Sequence, residues 1–383
     1  MILLQEVFNL RIITDDLKNF TSKINLAIEK SKINPKAGWV ELIVVDGNLK
    51  LQVANFDYSL EAKIPCEFIS GTDFDVTVVA DQFIPLVSKL DSKYVDLVIQ
   101  NNALNIKTES NSYMLPLIRE AGETKQLDMI QFNTSTAESV NISDDILYSI
   151  ATTNVKGLLE SMYSSDIQQF IYMDEIGAIT FTENIYINYY KNGLEKPFKI
   201  LLNTTQAKLL KAFLGEKSIK LYVEPNYSYE SPKRACIESD NIRLTMIVQS
   251  QENTDRFPSI RLRELSDRVQ STHVIVDRKV LDKALARLMI FDKKFDATVL
   301  NCSKIVFEPN QMKLISILNN NYEIVPYVRC EEPVDREFII RFADLVKQIK
   351  VITSKEIDIS YGETPALVLN SEIKQLIPEV ILE

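Results

Sequence analysis

Apolar residues along the chain follow two spacings, one typical of amphipathic helices and one typical of strands. Over Asp15–Lys30 they recur every three or four positions, which predicts a helix. Trp39–Val45 and Leu49–Ala54 are strand segments that a tight turn at Gly47 joins. A second helix is predicted over Asp81–Leu90. The first third of the chain therefore predicts two helices among several short strands.

The same order of elements occurs twice more along the chain. The second unit has predicted helices at Asp144–Lys156 and Thr205–Leu214, and the third has them at Asp277–Phe291 and Ile340–Ile349. Each second helix leads into a strand, and the three copies are evenly spaced. We therefore predict an α+β protein of three repeated domains, with boundaries at residues 1–125, 126–257 and 258–383.

The second repeat boundary carries the segment Asp255-Arg256-Phe257-Pro258-Ser259-Ile260-Arg261. It lies between an alternating strand ending at Val248 and an apolar strand beginning at His273. Proline fixes its own φ and disfavours the helical region for the preceding residue. The segment is therefore predicted to turn without forming a helix.

Composition argues against an enzyme. The single histidine, His273, opens a predicted strand and is interpreted as a surface residue, so catalytic triads and histidine-rich metal sites are not expected. The four cysteines lack metal-ligand spacing, and the nine glycines form no phosphate-binding motif. We expect no catalytic residue, metal or cofactor, and interpret the chain as a binding or scaffold protein.

The expected location is the cytoplasm. Scattered cysteines favour a reduced protein, and the N-terminal residues do not resemble a signal peptide. No stretch approaches the roughly 20 apolar residues of a membrane span, so no membrane partner is expected.

Charge is acidic overall, at −10, although lysines concentrate on the predicted helices. Lys279, Lys283 and Arg287 share one face of the helix that starts at Asp277. The other helix cations proposed to face DNA are Lys23, Lys30, Lys32, Lys156, Lys208, Lys211, Lys347 and Lys350. They could be ordinary solvated faces. If the six helices line a ring, however, the same lysines would attract duplex DNA without reading its sequence.

Four short motifs occur in order along the chain. They are Leu17-Lys18-x-Phe20, Asp46-Gly47-x-Leu49, Asp255-Arg256-Phe257-Pro258 and Leu376-Ile377-Pro378. In this order the chain resembles the bacterial DNA polymerase III beta subunit (sliding clamp) family, as a divergent member. The resemblance implies three DNA-clamp domains, each with two helices packed on antiparallel sheets. It also implies a homodimer whose two chains close a six-domain ring around double-stranded DNA, a clamp loader, and a replicative DNA polymerase as partner.

The resemblance also implies two protein-binding surfaces. An apolar peptide-binding pocket is expected from Ile171, Thr182, Ile187, Pro258, Leu262, Leu376, Ile377 and Pro378. A dimer interface is expected to involve Tyr113 with Met289 and Ile290. The chain departs from the family pattern at Glu183-Asn184-Ile185-Tyr186, beside the pocket. The pocket residues could instead be plain inter-domain core, and the protein could be a clamp-fold peptide-binding scaffold that does not encircle DNA.

Overall fold

The structure is a computed structural model. It describes residues 8–380, except for 32, 46, 72–73, 101, 121–122, 157–165, 183–186, 192, 226–227, 269, 293–301, 318–319 and 332–334. Contacts divide the chain into two compact units. Unit 1 comprises Met1–Tyr148 and Lys208–Gln251, and unit 2 comprises Ser149–Ala207 and Glu252–Glu383. Each unit therefore contains part of the predicted second repeat, and the three-domain boundaries stay a prediction.

The described residues contain eight α-helices and several single turns of other helix types. The α-helices are Thr14–Asn25 (α1), Ala80–Ser88 (α2), Asp144–Ser149 (α3), Thr204–Leu209 (α4), Gln251–Arg256 (α5), Ser259–Ser266 (α6), Arg278–Asp292 (α7) and Phe342–Val351 (α8). The 3₁₀ turns are Pro35–Gly38, Thr134–Thr136, Asp166–Gln169 and Leu210–Phe213, and Ile150–Asn154 is a π-helix. None of the described helices has the length and apolar character needed to cross a membrane.

The strands are short and all of the pairings described between them are antiparallel. They are Phe8–Ile13 (β1), Trp39–Val45 (β2), Asn48–Ala54 (β3), Tyr58–Pro65 (β4), Glu67–Ser70 (β5), Phe74–Val79 (β6), Tyr94–Gln100 (β7), Ala103–Lys107 (β8), Ser112–Pro116 (β9), Arg119–Glu120 (β10), Glu123–Thr124 (β11), Ser139–Asn141 (β12), Ile171–Asp174 (β13), Gly177–Phe181 (β14), Ile187–Lys191 (β15), Lys199–Leu202 (β16), Lys220–Val223 (β17), Lys233–Glu238 (β18), Ile242–Val248 (β19), Thr272–Asp277 (β20), Cys302–Glu308 (β21), Gln311–Ser316 (β22), Tyr322–Glu331 (β23), Arg336–Arg341 (β24), Glu356–Tyr361 (β25), Ala366–Asn370 (β26) and Lys374–Pro378 (β27).

Unit 1 is built on two main sheets, with a short hairpin of β10 and β11. The five-stranded sheet has the order β5-β1-β7-β8-β9, and the eight-stranded sheet has the order β12-β17-β18-β19-β4-β3-β2-β6. Pairing of β19 with β4 joins strands of the first and second repeats in one sheet. Helix α1 starts with Asp15 and Asp16 facing its positive end and packs against α2 and β4. Its buried stripe includes Leu17 and Ile24.

Unit 2 is organised by one twelve-stranded sheet. Its order is β16-β13-β14-β15-β27-β26-β25-β20-β23-β22-β21-β24. Helices α7 and α8 pack together over one part of it, and their apolar residues, Phe342 of α8 among them, form a buried core with Phe307 and Phe338 of the sheet. The predicted α+β architecture is confirmed, with helices α1 and α2 in the first repeat and α7 and α8 in the third, where α6 is an additional helix that the sequence does not predict.

Several predicted elements differ from the structure. The helix predicted to reach Lys30 ends at Asn25, and Asp144–Lys156 changes from α-helix to π-helix at Ile150. The predicted helix Ile340–Ile349 begins at Phe342, because strand β24 occupies the preceding residues.

The joint at Pro258 is also not the helix-free turn that the sequence predicts. Helix α5 ends at Arg256 and helix α6 begins at Ser259. Pro258 is the residue just before α6, with φ −81°. Proline is tolerated at a helix start, since its missing N–H would have no intrahelical partner there.

Candidate functional site: an apolar seam and exposed helix cations

The predicted pocket lies where the second and third repeats meet within unit 2. Strand β15 of the second repeat pairs with β27 of the third, with Ile187 opposite Leu376. Helix α6 lies against the same two strands. Three segments distant in sequence therefore meet at this place, as the resemblance implies.

One face of this seam carries an apolar group of side chains, which we call the seam cluster. Its buried members are Tyr172, Ile179, Ile187, Tyr189, Leu201, Phe257, Leu262, Ala366, Val368 and Leu376. Phe181 and Leu265 are half-buried and pack against it. This cluster includes three of the eight predicted pocket residues, namely Ile187, Leu262 and Leu376.

Two other predicted pocket residues face away from the seam cluster. Ile377 follows Leu376 in β27 and belongs to the core beneath α7 and α8. Ile171 precedes Tyr172 in β13 and is fully buried outside the cluster. Successive side chains of a strand point to opposite faces, so neither can share a face with Leu376 and Tyr172. Ile171 and Ile377 therefore lie on the opposite faces of their strands from the seam cluster.

The remaining predicted residues lie at the rim. Pro378 is half-buried and lies two positions after Leu376, on the same face of β27. Pro258 is half-buried, and its carbonyl accepts a hydrogen bond from the Leu262 amide at 3.0 Å. Thr182 is half-buried and directly follows Phe181. Partial exposure is what a contact surface for another chain requires.

Phe257 is a buried member of the seam cluster that the sequence analysis does not include among the pocket residues. Its ring stacks on Tyr172 with centroids 4.9 Å apart and meets the Phe181 ring edge-on at 5.4 Å. Such pairs add to the free energy of burial by about 0.5–1.5 kcal/mol each. Phe257 was part of the motif that carried the resemblance, but its burial could not be read from a segment interpreted as a turn.

One buried charge borders the seam cluster. Arg263 of α6 donates to Asp174 at 2.6 Å, and their side chains are 14% and 4% exposed. The guanidinium also lies 6.0 Å and 5.8 Å from the ring centroids of Tyr172 and Tyr189. Burial raises the pKa of Tyr172 to about 12, so its phenol stays neutral. The guanidinium, the carboxylate and two aromatic rings together fix α6 against β13 and β15.

The predicted DNA-facing cations fall into four groups, of which buried Lys23 is one. Lys30, Lys156, Lys208, Lys279, Lys283, Arg287 and Lys350 are exposed, whereas Lys211 and Lys347 are half-buried. Lys32 lies outside the described residues. Some exposed cations already have partners: Arg287 donates twice to Glu323, at 2.7 and 2.6 Å, and Lys30 lies 3.1 Å from Asp81.

Lys23 does not fit the predicted set. It is buried, and its ammonium group lies 2.5 Å from a carboxylate oxygen of Glu216. The two side chains are only 10% and 6% exposed. The helical pattern placed Lys23 among solvated lysines, but its partner is 193 positions away in the sequence. Lys23 therefore forms a buried ion pair within unit 1 and is not one of the exposed helix cations.

The predicted dimer residues also divide. Tyr113 is 38% exposed and lies on β9, at the edge of the five-stranded sheet. Ile290, near the end of α7, is 62% exposed. Met289, however, packs against the core of its own unit. Of the two apolar residues expected on this side of the dimer interface, only Ile290 is exposed.

In the part of the chain that the structure describes, no group of three or more His, Cys, Asp or Glu side chains could hold a metal ion.

Similarity to known proteins agrees with this architecture. Residues 8–123 match the family model of the DNA polymerase III beta subunit, N-terminal domain. No curated protein sequence matches the chain significantly.

Solved structures match over nearly the whole chain. The beta subunit from the DNA polymerase of Streptococcus pyogenes has a TM-score of 0.76 at 14% identity, covering 98% of this chain and 100% of the other. Beta subunits of DNA polymerase III from Borrelia burgdorferi (0.75, 17% identity, 99% and 100% covered) and Thermotoga maritima (0.74, 16%, 98% and 100%) are similar in the same way. The fold that the sequence resemblance predicts is confirmed: the chain has the fold of bacterial DNA polymerase III beta subunits, and its residues 8–123 match that family's model of the N-terminal domain.

Proposed function

We propose that this chain is a DNA polymerase processivity factor, two copies of which close into a ring around duplex DNA. The observation that supports this most is the clamp fold over nearly the full length of the chain. The protein would act in the cytoplasm without chemistry of its own. It would keep a polymerase on DNA by topology, and a clamp loader would open and close the ring.

The proposed DNA contacts come from exposed helix cations. Lys279 and Lys283 lie one helical turn apart on α7, and both are exposed. Contacts between ammonium groups and phosphates are interchangeable along a duplex, so they allow sliding and carry no sequence information. Because the chain carries a net charge of −10, DNA can be attracted only where cations concentrate, and we propose that these helices are that surface.

The proposed partner-binding surface is the rim of the seam cluster. Half-buried Phe181 and Leu265 pack against the buried apolar side chains of the cluster. Pro258, at the start of the helix that carries Leu262, and Pro378, on the strand that carries Leu376, are also half-buried. A peptide with one or two large apolar residues could bury them there, in the way short motifs bind apolar grooves. A replicative polymerase and a clamp loader are the expected donors of such a peptide.

A second candidate function is a peptide-binding scaffold that keeps the fold but does not encircle DNA. Two observations favour it. Lys23 is engaged in a buried ion pair, and Arg287 is held by Glu323, so fewer cations remain available to phosphates than the sequence predicts. In this alternative the rim of the seam cluster would bind partner peptides, and the lysines of α7 would be ordinary solvated side chains without a role in DNA binding.

The two functions differ in oligomeric state and in salt dependence. A clamp should run as a dimer of twice 43.8 kDa by light scattering, whereas the scaffold could be a stable monomer at micromolar concentration. For a clamp, the double variant Lys279→Glu with Lys283→Glu should have a flatter plot of log DNA affinity against log salt concentration. The slope should decrease in magnitude by about 0.9 for each phosphate that is no longer neutralised. The matched control changes two exposed loop lysines, Lys196→Glu and Lys217→Glu, and should leave the slope nearly unchanged. A monomer whose weak DNA binding responds equally to both pairs would favour the scaffold.

A further inference from the structure

A connector segment, residues 123–133, lies across the eight-stranded sheet of unit 1 and is held there by polar side chains. The Lys125 carbonyl accepts a hydrogen bond from Thr77 at 2.5 Å, and the Phe132 carbonyl accepts one from Arg243 at 2.8 Å. Lys36 forms an ion pair with Asp128 at 2.5 Å. The connector therefore depends on strands β2, β6 and β19 and on the turn before β2 for its position.

Two carboxyl groups lie beneath the middle of the connector. Glu41 of β2 is 2% exposed, and its carboxyl accepts a hydrogen bond from the Leu127 amide at 3.4 Å. Asp75 of β6 accepts one from Gln126 at 2.8 Å, while its other oxygen is buried without a partner. In the register of β2 and β6, Glu41 is opposite Thr77 and thus diagonal to Asp75 on one face.

Among the described residues, the contacts recorded for the nearby cations are to other groups, including that of Arg243 to the Phe132 carbonyl. Asp128 on the connector is a third carboxylate, and it is already paired with Lys36. On the next strand, Gln52 faces Glu41 and donates to Glu61 at 2.5 Å. Lys50 lies 3.9 Å from Glu61, and the Lys125 ammonium group lies over the Trp39 ring. Two adjacent carboxylates in such a place cannot both ionise without a large desolvation and repulsion cost.

We propose that the protonated carboxyl of Glu41 donates to the unpartnered oxygen of Asp75, and that this pair is a latch that holds the connector on the sheet while the proton is bound. Loss of the proton leaves two adjacent charges, and the connector must lift to let water reach them. Burial and the neighbouring Asp75 carboxylate raise the pKa of Glu41 to about 7, from an ordinary value of 4.5. Because the closed state has the higher pKa, closure is fully favoured below about pH 4.5 and is weakened as the pH rises to about 7.

The single tryptophan reports on the latch. Trp39 lines a cavity of about 530 Å³ together with connector residues Lys125, Leu127 and Asp128. The Lys125 ammonium group is 5.4 Å from the Trp39 ring centroid. Lifting of the connector would remove this wall and expose the indole to solvent.

The test measures hydrogen exchange at the Leu127 amide and acrylamide quenching of Trp39 between pH 5 and 8. In the wild-type protein, the protection of the Leu127 amide against hydrogen exchange, corrected for the pH dependence of the intrinsic exchange rate, should fall by up to about tenfold per pH unit until pH 7 and then level off. Acrylamide quenching of Trp39 should rise over the same pH range. Glu41→Gln should stay closed and insensitive to pH, whereas Asp75→Asn leaves Glu41 buried but without its charged neighbour and should therefore level off at a lower pH than wild type. The matched control Glu67→Gln, at an exposed site of β5, should behave as wild type. A wild-type protein without pH dependence, or variants at Glu41 and Asp75 that respond as wild type, would overturn the latch.

Discussion

Breaking the buried ion pair between Lys23 and Glu216 by removing one partner should strongly destabilise unit 1. Replacing Lys23 by methionine keeps the apolar stem of the side chain and removes only the charge. Glu216 would then retain hydrogen bonds to its other carboxylate oxygen, from Ser239 at 3.0 Å and Asn241 at 3.3 Å. The oxygen that faces Lys23 at 2.5 Å would have no ion-pair partner.

The expected magnitude follows from the burial of both groups. With side chains 10% and 6% exposed, solvent cannot replace the missing ammonium group. Removal of one member of a buried pair typically costs about 3–5 kcal/mol. The two remaining hydrogen bonds place this case at the lower end of that range, so Lys23→Met should lower the free energy of unfolding by about 3 kcal/mol. Urea denaturation, followed by a signal from unit 1, measures it.

The double variant Lys23→Met with Glu216→Leu is the control. Replacing both charges by apolar groups leaves no unpaired carboxylate and should restore most of the stability. The salt dependence of DNA binding should be the same in Lys23→Met as in the wild type, because a buried lysine contacts no phosphate. A destabilisation below about 1 kcal/mol, together with a flatter salt slope, would refute the structural role and return Lys23 to the DNA-facing set.

Two further predictions concern unit 2. Ile377→Ala should lower the free energy of unfolding by about 2–5 kcal/mol in thermal or urea unfolding, because Ile377 lies in the core. Leu376→Ala should weaken the binding of an apolar partner peptide more than its effect on stability explains. Equal effects of the two changes in peptide titrations would contradict the assignment of the two side chains to opposite faces. Glu323→Gln should release Arg287 for phosphate contacts and steepen the salt dependence of DNA binding, an effect absent from the double change with Arg287→Gln. An unchanged slope in Glu323→Gln would remove Arg287 from the DNA-facing set.

Much of the fold could be predicted because its helices carry apolar stripes at regular spacing. Helix α7 was expected over Asp277–Phe291 and is found at Arg278–Asp292. Strands β5, β16 and β24 were missed, and two helices formed around Pro258 where none was expected. There the tertiary contacts of Phe257, Leu262 and Arg263 outweigh the local preference of a proline-containing segment.

The site could be predicted only in part, for a reason of geometry. Leu376, Ile377 and Pro378 are all apolar, so no polar alternation shows which of them faces the seam cluster. The pairing of β27 with β15 decides this, and it joins residues far apart in the sequence. Lys23 is a similar case, since only the fold brings it to Glu216.

The most direct test of the central claim is retention of the protein on circular DNA. After loading onto a nicked circle, a ring should remain bound during gel filtration in high salt, where ordinary phosphate contacts are weakened. Cutting the same DNA once should release it, because a topological link ends when the protein can slide off an end. Equal retention on circular and linear DNA, or no retention on either, would contradict a sliding clamp.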